Sequence, residues 1–350
     1  MNEVRAPRQQ WADVAKGTCI VLVVLWHVTR KDYLALDWDL GAPVTGAWGT
    51  ASEVLLPVRM PLFFLISGLF SARLLQRSWP EVWRRRVAPM LWLLVVWTLL
   101  HTLLFRLTPG FDTAVADDPV GLLVQLTVTP GNLWYLLALG LYVAVARATR
   151  DVPHAALAAA LVLSAVATAG LVPTPGNRYG LLTNLVWFLL GTRLTSLPAG
   201  LRAWVVPTRR VVAATAIGAF AVAAAAWQAL GADGWLGVRP ALGLLGIAAG
   251  AAVAVAVART RAGSPLAALG RQTLPVYVLH LPLVALAHAV SGELITGATA
   301  RSLPLAAVYP VVVTALVVGA CLALHRMLVR GGASWLFEAP WSRRRVVAVS

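Results

Sequence analysis

Apolar residues recur along this chain in blocks of about 17–25, the length a helix needs to cross roughly 30 Å of hydrocarbon. Ten such blocks fall near 10–29, 51–72, 87–105, 132–149, 154–172, 179–195, 211–230, 238–257, 272–291 and 304–326. The pattern predicts an all-α fold: a polytopic membrane helical bundle of about ten transmembrane helices, one membrane-embedded domain over 1–350 with a basic tail at 327–350. Blocks five, seven and eight are rich in Ala, Gly and Val and read as scaffold, because small residues let helices approach closely in lipid. Polar residues concentrate in blocks one, two, four and nine, with a basic run just before block three. No internal repeat is visible, so an inverted-repeat transporter gains no support.

Composition agrees with the pattern. The chain is 59% apolar and 12% charged, with mean hydropathy +0.76, against about 45–50% and 25% for a soluble domain. No small-residue cleavage site follows the first block, which is expected to remain as a span. Cys19 and Cys321 lie inside spans without metal-ligand spacing, and read as small buried apolar residues; no metal is expected.

The net charge of +15 raises the question of nucleic acid. The position of the charges answers it. The amino terminus, the loops after even-numbered spans and the carboxyl tail hold 21 Lys and Arg, including Arg5, Arg8, Arg84–Arg86 and Arg343–Arg345, while the other loops hold 6. Most acids, such as Asp32, Asp112 and Asp233, fall on the poor side. The positive-inside rule therefore puts both termini in the cytoplasm. The charge excess encodes topology in a multi-pass plasma-membrane protein, with the bilayer and no nucleic acid as partner; homo-oligomerisation is compatible with it.

The first block, WADVAKGTCIVLVVLWHVTR, carries three ionisable residues, which hydrocarbon tolerates only with a partner or a purpose. Lys16 and His27 are eleven residues apart, three turns plus about 20°, so they share one helix face with a rise of about 16 Å. Asp13, one turn before Lys16, can pair with it at the inner end. Lys16 reads either as a snorkelling interfacial residue or as a cationic site. His27, near the outer end, reads as a titratable base.

Further along, Arg59 lies about two turns inside span two and needs a partner. Glu53, at the depth of His27, reads either as a carboxylate orienting the imidazole or as a solvated loop residue. The run WRRRVAPM holds Arg84, Arg85 and Arg86; it serves orientation, or binds a phosphate-bearing donor. NLWYLLALG opens span four, and its Asn132, Trp134 and Tyr135 form either an interfacial belt or a sugar-facing rim. His280 stands near the middle of span nine between Pro275 and Pro282, as a helix-to-helix hydrogen-bond partner or a catalytic group.

In these residues the chain resembles the acyltransferase-3 family of integral membrane acyltransferases, and within it the fucose 4-O-acetylase-like branch. The pieces run in order: D-x-x-K-G and then His27; MPLFFLISG; the basic run ending at Arg86 and Pro89; NLWYL; N-x-x-W-F-x-x-G at Asn184 to Gly191; and LG-x5-VYVLH-x-P ending at His280 and Pro282. The resemblance implies a ten-helix bundle that moves an acyl group, usually acetyl from acetyl-CoA, to a hydroxyl of a sugar, glycan or related acceptor. The family commonly has Arg where this chain has Lys16, and often His where it has Arg59. On this reading Lys16 and Arg84–Arg86 hold the CoA phosphates, Asp13 fixes Lys16, His27 is the general base, and Arg59 stabilises the developing oxyanion. The competing reading is a transporter or channel for a small polar solute, whose charges line a path.

Overall fold

The computed structural model describes residues 10–342, which are helical with no strand among them. Arg5, Arg8, Arg343, Arg344 and Arg345, and the end of the basic tail with them, lie outside the described residues. The helices that build the site are α1 (Gln10–Lys31), α2 (Val44–Val54), α3 (Leu56–Ser71), α4 (Ala88–Leu104), α5 (Trp134–Ala148) and α6 (Pro153–Thr168). They continue with α7 (Arg178–Arg193), α8 (Arg210–Leu230), α9 (Val238–Val257), α10 (Gly263–Gly270), α11 (Thr273–Leu294) and α12 (Leu303–Arg330).

A helix stands at each of the ten expected spans. Among the described residues seven helical segments are long and apolar enough to cross a membrane: Gln10–Ala35, Val44–Ser71, Trp79–Leu107, α8, α9, α11 and α12. The other three, α5, α6 and α7, have 15, 16 and 16 residues. At 1.5 Å per residue they reach at most about 24 Å, short of the full hydrocarbon thickness.

The first helix is the axis of the bundle. It packs against α3, α9, α10, α11 and α12, and Ala12, Val14, Ala15, Val24 and Val28 are fully buried. By contrast α8 buries only the stripe Ala216, Phe220, Ala224 and Trp227, and leaves the rest of its apolar surface outward.

Two pairs of glycines set the closest approaches. A Cβ on Gly17 would overlap the carbonyl oxygen of Leu266, and one on Gly270 the carbonyl oxygen of Asp13, so α1 and α10 meet backbone to backbone. In the same way Gly68 abuts the Phe188 carbonyl and Gly191 the Leu65 carbonyl, which joins α3 to α7. Such contacts gain dispersion and exclude lipid where no hydrophobic drive exists.

Prolines create a different need. Pro282 in α11 has no N–H to give the carbonyl of Val278, one turn earlier. The ring of His101, buried on α4, supplies the missing donor from Nε2 at 2.8 Å. Beyond the end of α1, Asp32 is fully buried. It accepts from the Tyr309 hydroxyl at 2.8 Å and faces His288 Nδ1 at 3.2 Å, which ties α1 to α11 and α12.

Candidate active site

A half-open cavity of about 450 Å³ lies toward the helix ends opposite Lys16 and reaches down α1 to Ile20. Its wall includes Trp26, His27 and Lys31 of α1, Arg59, Met60 and Phe63 of α3, and Asn132, Trp134 and Tyr135 at the start of α5. The far side is polar, with Ser164, Thr168, Asn177, Tyr179, Thr183, Asn184 and Arg239. The long segment between α4 and α5 is tied down beside it. Lys31 Nζ donates to the Asp112 carboxylate at 2.8 Å, and Asn132 Nδ2 to Thr113 Oγ1 at 2.5 Å.

His27 is defined by its hydrogen bonds. In the neighbouring ring, His280 Nδ1 lies 2.7 Å from the Tyr277 carbonyl oxygen and 3.1 Å from that of Val276. Carbonyls only accept, so Nδ1 carries the hydrogen and, in the neutral ring, Nε2 carries the lone pair. That Nε2 lies 3.3 Å from His27 Nδ1, which also faces the Val23 carbonyl at 2.9 Å. His27 Nδ1 is therefore the protonated nitrogen, and its Nε2 is left with a lone pair and no hydrogen bond among the described residues. The rings meet at 66° with centroids 4.8 Å apart.

His280 is 3% exposed and is not on the cavity wall. It stands behind His27, with its Nε2 turned to His27 Nδ1. Glu53 does not orient the imidazole. It is directed at Arg30, 3.9 Å away at the partly exposed edge of the bundle, and the place beside His27 Nδ1 is taken by Val23 and His280.

Arg59 does reach the cavity. Its guanidinium lies 4.9 Å from the centre of the Trp26 ring, and that indole meets His27 edge-on with centroids 4.7 Å apart. One indole thus separates the cation from the imidazole.

The cationic residues expected to hold a donor are elsewhere. Lys16 and Arg84–Arg86 are not on the cavity wall. Lys16 Nζ sits 5.8 Å from the ring centres of both Phe63 and Phe70, so Phe63, which does line the cavity, separates the ammonium from it. Asp13 is buried, with Arg271 Nη1 3.8 Å from its carboxylate. Arg84–Arg86 lie in a π-helical turn, Trp83–Val87, with Arg85 paired to Glu81 at 3.0 Å. Among the described residues no group of three or more His, Cys, Asp or Glu could hold a metal ion.

Several wall residues carried no assigned role in the sequence reading. Tyr277 donates its hydroxyl to the Asn132 carbonyl at 3.1 Å and accepts the Tyr135 N–H at 3.2 Å, which fixes the start of α5. Asn184 spends its N–H groups on the Gly180 carbonyl at 2.9 Å and Thr183 Oγ1 at 3.2 Å, so its own carbonyl oxygen remains for a ligand. Both residues sit in motifs, VYVLH and N-x-x-W-F-x-x-G, and that was the available signal. Trp26 and Arg239 had none.

Comparison with known proteins agrees with the architecture. A family model described as an acyltransferase domain matches residues 9–326. The inner membrane protein YcfT of Escherichia coli K12 is 26% identical over 200 residues, 53% of this chain and 56% of that protein. The glucans biosynthesis protein C of Salmonella paratyphi B, and likewise that of Salmonella heidelberg, is 28% identical over 149 residues, 40% of this chain and 38% of each relative. The matches thus span about half or less of the length of these relatives. No solved structure matches. With the family model covering nearly the whole described chain, the protein belongs to the acyltransferase-3 family of membrane proteins.

Proposed function

We propose that this protein is an acyl-CoA-dependent O-acyltransferase of the plasma membrane, with both termini in the cytoplasm. It moves an acetyl or other short acyl group to a hydroxyl of a sugar or glycan bound in the cavity. The observation that carries this reading is the lone pair of His27 Nε2 at the cavity wall, with Nδ1 held by Val23 and His280. A base so held takes the acceptor proton as the hydroxyl oxygen attacks the thioester carbonyl. The C–O bond forms, the C–S bond breaks, and the imidazolium returns the proton to the departing CoA thiolate. General-base help of this kind is worth roughly 10²–10⁴ in rate. Arg59, one indole away from His27, favours the oxyanion that develops on the carbonyl through the field of its charge and not by contact.

The donor approaches from the other side of the membrane. Lys16 and Arg84–Arg86 hold the CoA phosphates, with Asp13 and Arg271 supporting that end of α1. The pantetheine arm runs along α1 past Phe63, over the rise of about 16 Å between Lys16 and His27. On the acceptor side Asn132, Trp134, Tyr135 and Asn184 present a ring-stacking surface and hydrogen-bonding groups suited to a saccharide. The name of the glucans biosynthesis relatives supports a saccharide acceptor, and that of the inner membrane relative supports the location.

The test uses purified protein in nanodiscs with radiolabelled acetyl-CoA and a panel of saccharides. Saccharide-dependent thioester loss with label recovered in the sugar is the expected result. Solute flux across vesicles with no thioester loss contradicts it and favours the transporter reading.

A further inference from the structure

Arg59 is 4% exposed, yet among the described residues no side chain or carbonyl hydrogen-bonds to its guanidinium and no carboxylate lies within ion-pair distance; the charge of Glu53 acts on it only from farther away. The guanidinium stands over the Trp26 ring, 4.9 Å from its centre. Glu53, six residues earlier on the same side of the bundle, is directed at Arg30. The guanidinium faces the cavity, whose wall contains Lys31 and Arg239 as further cations and no Asp or Glu. Lys31 and Arg239 have acids of their own, Asp112 and Asp233, whose side chains stand 91% and 65% exposed. Arg59 alone of the three has no acid within ion-pair distance.

A buried cation whose nearest counter-charge is out of contact and partly exposed is costly. A developing oxyanion does not offset that cost in the resting complex, because it exists only while the reaction proceeds. A ligand carrying a fixed negative charge offsets it for as long as the ligand is bound. We infer that the molecule bound in this cavity carries a carboxylate or phosphate group that pairs with Arg59, so that the acceptor is an acidic hydroxylated compound of the uronic-acid or sugar-phosphate class.

Naming that molecule the acceptor rests on the acyl-transfer reading. It follows from position. Arg59 lies near the start of α3, at the same helix ends as Lys31, Asn132 and Asn177, away from Lys16 and Arg84–Arg86. The guanidinium, the Trp26 indole and the His27 imidazole follow one another at 4.9 and 4.7 Å. A single sugar-sized ligand therefore reaches both the cation and the base. A planar guanidinium takes a carboxylate or phosphate with two parallel hydrogen bonds, a geometry that a neutral hydroxyl does not match.

The experiment is isothermal titration calorimetry on the purified protein in nanodiscs, without acyl donor, against D-glucose, D-glucuronate and D-glucose 6-phosphate. A second arm compares acetyl-CoA with malonyl-CoA, in which the acyl group itself ends in a carboxylate. Wild type is expected to bind an acidic sugar roughly 10- to 100-fold more tightly than glucose, the size of a charge-assisted pair. Arg59→Gln is expected to lose that preference and Arg59→Lys to keep much of it, with thermal melts confirming that both variants fold. Equal binding of glucose, a preference that survives Arg59→Gln, or no binding by either acidic sugar overturns the inference. An Arg59-dependent preference seen only for malonyl-CoA also overturns it, by moving the anion to the acyl group. The outcomes separate from those of the catalytic reading. Acidic sugars that bind through Arg59 but are never acylated leave the anion site standing and sink the transfer. Acyl transfer to neutral sugars alone does the reverse.

Discussion

Nε2 of His280 lies 3.3 Å from Nδ1 of His27, and the carbonyls of Tyr277 and Val276 behind His280 dictate which nitrogen of each ring holds its proton. The pair orients the imidazole proposed as the base without placing a charge of its own beside it. Replacement of His280 by Ala removes that support while Val23 still holds Nδ1. It is expected to lower kcat about 10- to 100-fold through misalignment of the base, with little change in KM for donor or acceptor. His280→Gln, whose amide oxygen can accept from His27, is expected to recover part of the loss. Steady-state kinetics on the three proteins, read as a split between kcat and KM, check this.

The donor end makes a separate prediction. Lys16→Ala is expected to raise KM for acyl-CoA by about tenfold, the worth of one charge-assisted contact to phosphate. Binding of saccharide in the absence of donor is expected to stay unchanged. Lys16→Arg is expected to stay close to wild type. Calorimetric titration of acyl-CoA and of saccharide, performed separately, distinguishes this from a general loss of structure.

Gly17 and Gly270 are expected to be intolerant of a single methyl group. Gly17→Ala or Gly270→Ala sets a Cβ against backbone oxygen on the facing helix, and overpacking of this kind costs about 1–3 kcal/mol or more. Gly218 and Gly319 have nothing near the position of a Cβ, and their Ala variants serve as controls expected to melt with the wild type. Thermal unfolding in detergent reads the difference.

His101 is expected to matter for stability and not for chemistry. Its ring supplies the donor that Pro282 denies to the Val278 carbonyl. His101→Ala leaves a buried carbonyl unsatisfied, at a cost of about 1–3 kcal/mol. Protein that remains folded is expected to turn over near the wild-type rate. A melting curve and an activity assay on the same sample settle which property moved.

These residues also mark how far the sequence could be read. The apolar blocks gave the positions of the helices because length and composition alone decide what crosses hydrocarbon, and the common face of Lys16 and His27 followed from helical periodicity. What lay beyond reach was which motif meets which. Gly17 and Gly270 sit in the first and last motif pieces, Gly68 and Gly191 in two middle ones, and each pair joins helices far apart in the chain. Nothing local in the sequence encodes that pairing. Glu53 was drawn toward His27 by depth in the membrane, but depth does not fix azimuth, and the carboxylate turns to Arg30. The contact of His280 with His27 was equally hidden, since it depends on α11 lying against α1. Trp26 gave no signal because a tryptophan near the end of a span is ordinarily interfacial, and here it lies between Arg59 and His27.

The most direct test of His27 as the base is single-turnover acyl transfer by the His27→Ala variant, with acyl-CoA binding measured on the same preparation. Binding retained as in the wild type and transfer reduced roughly 10²- to 10⁴-fold is the expected result. Transfer at the wild-type rate by His27→Ala contradicts it, and places the base elsewhere on the cavity wall.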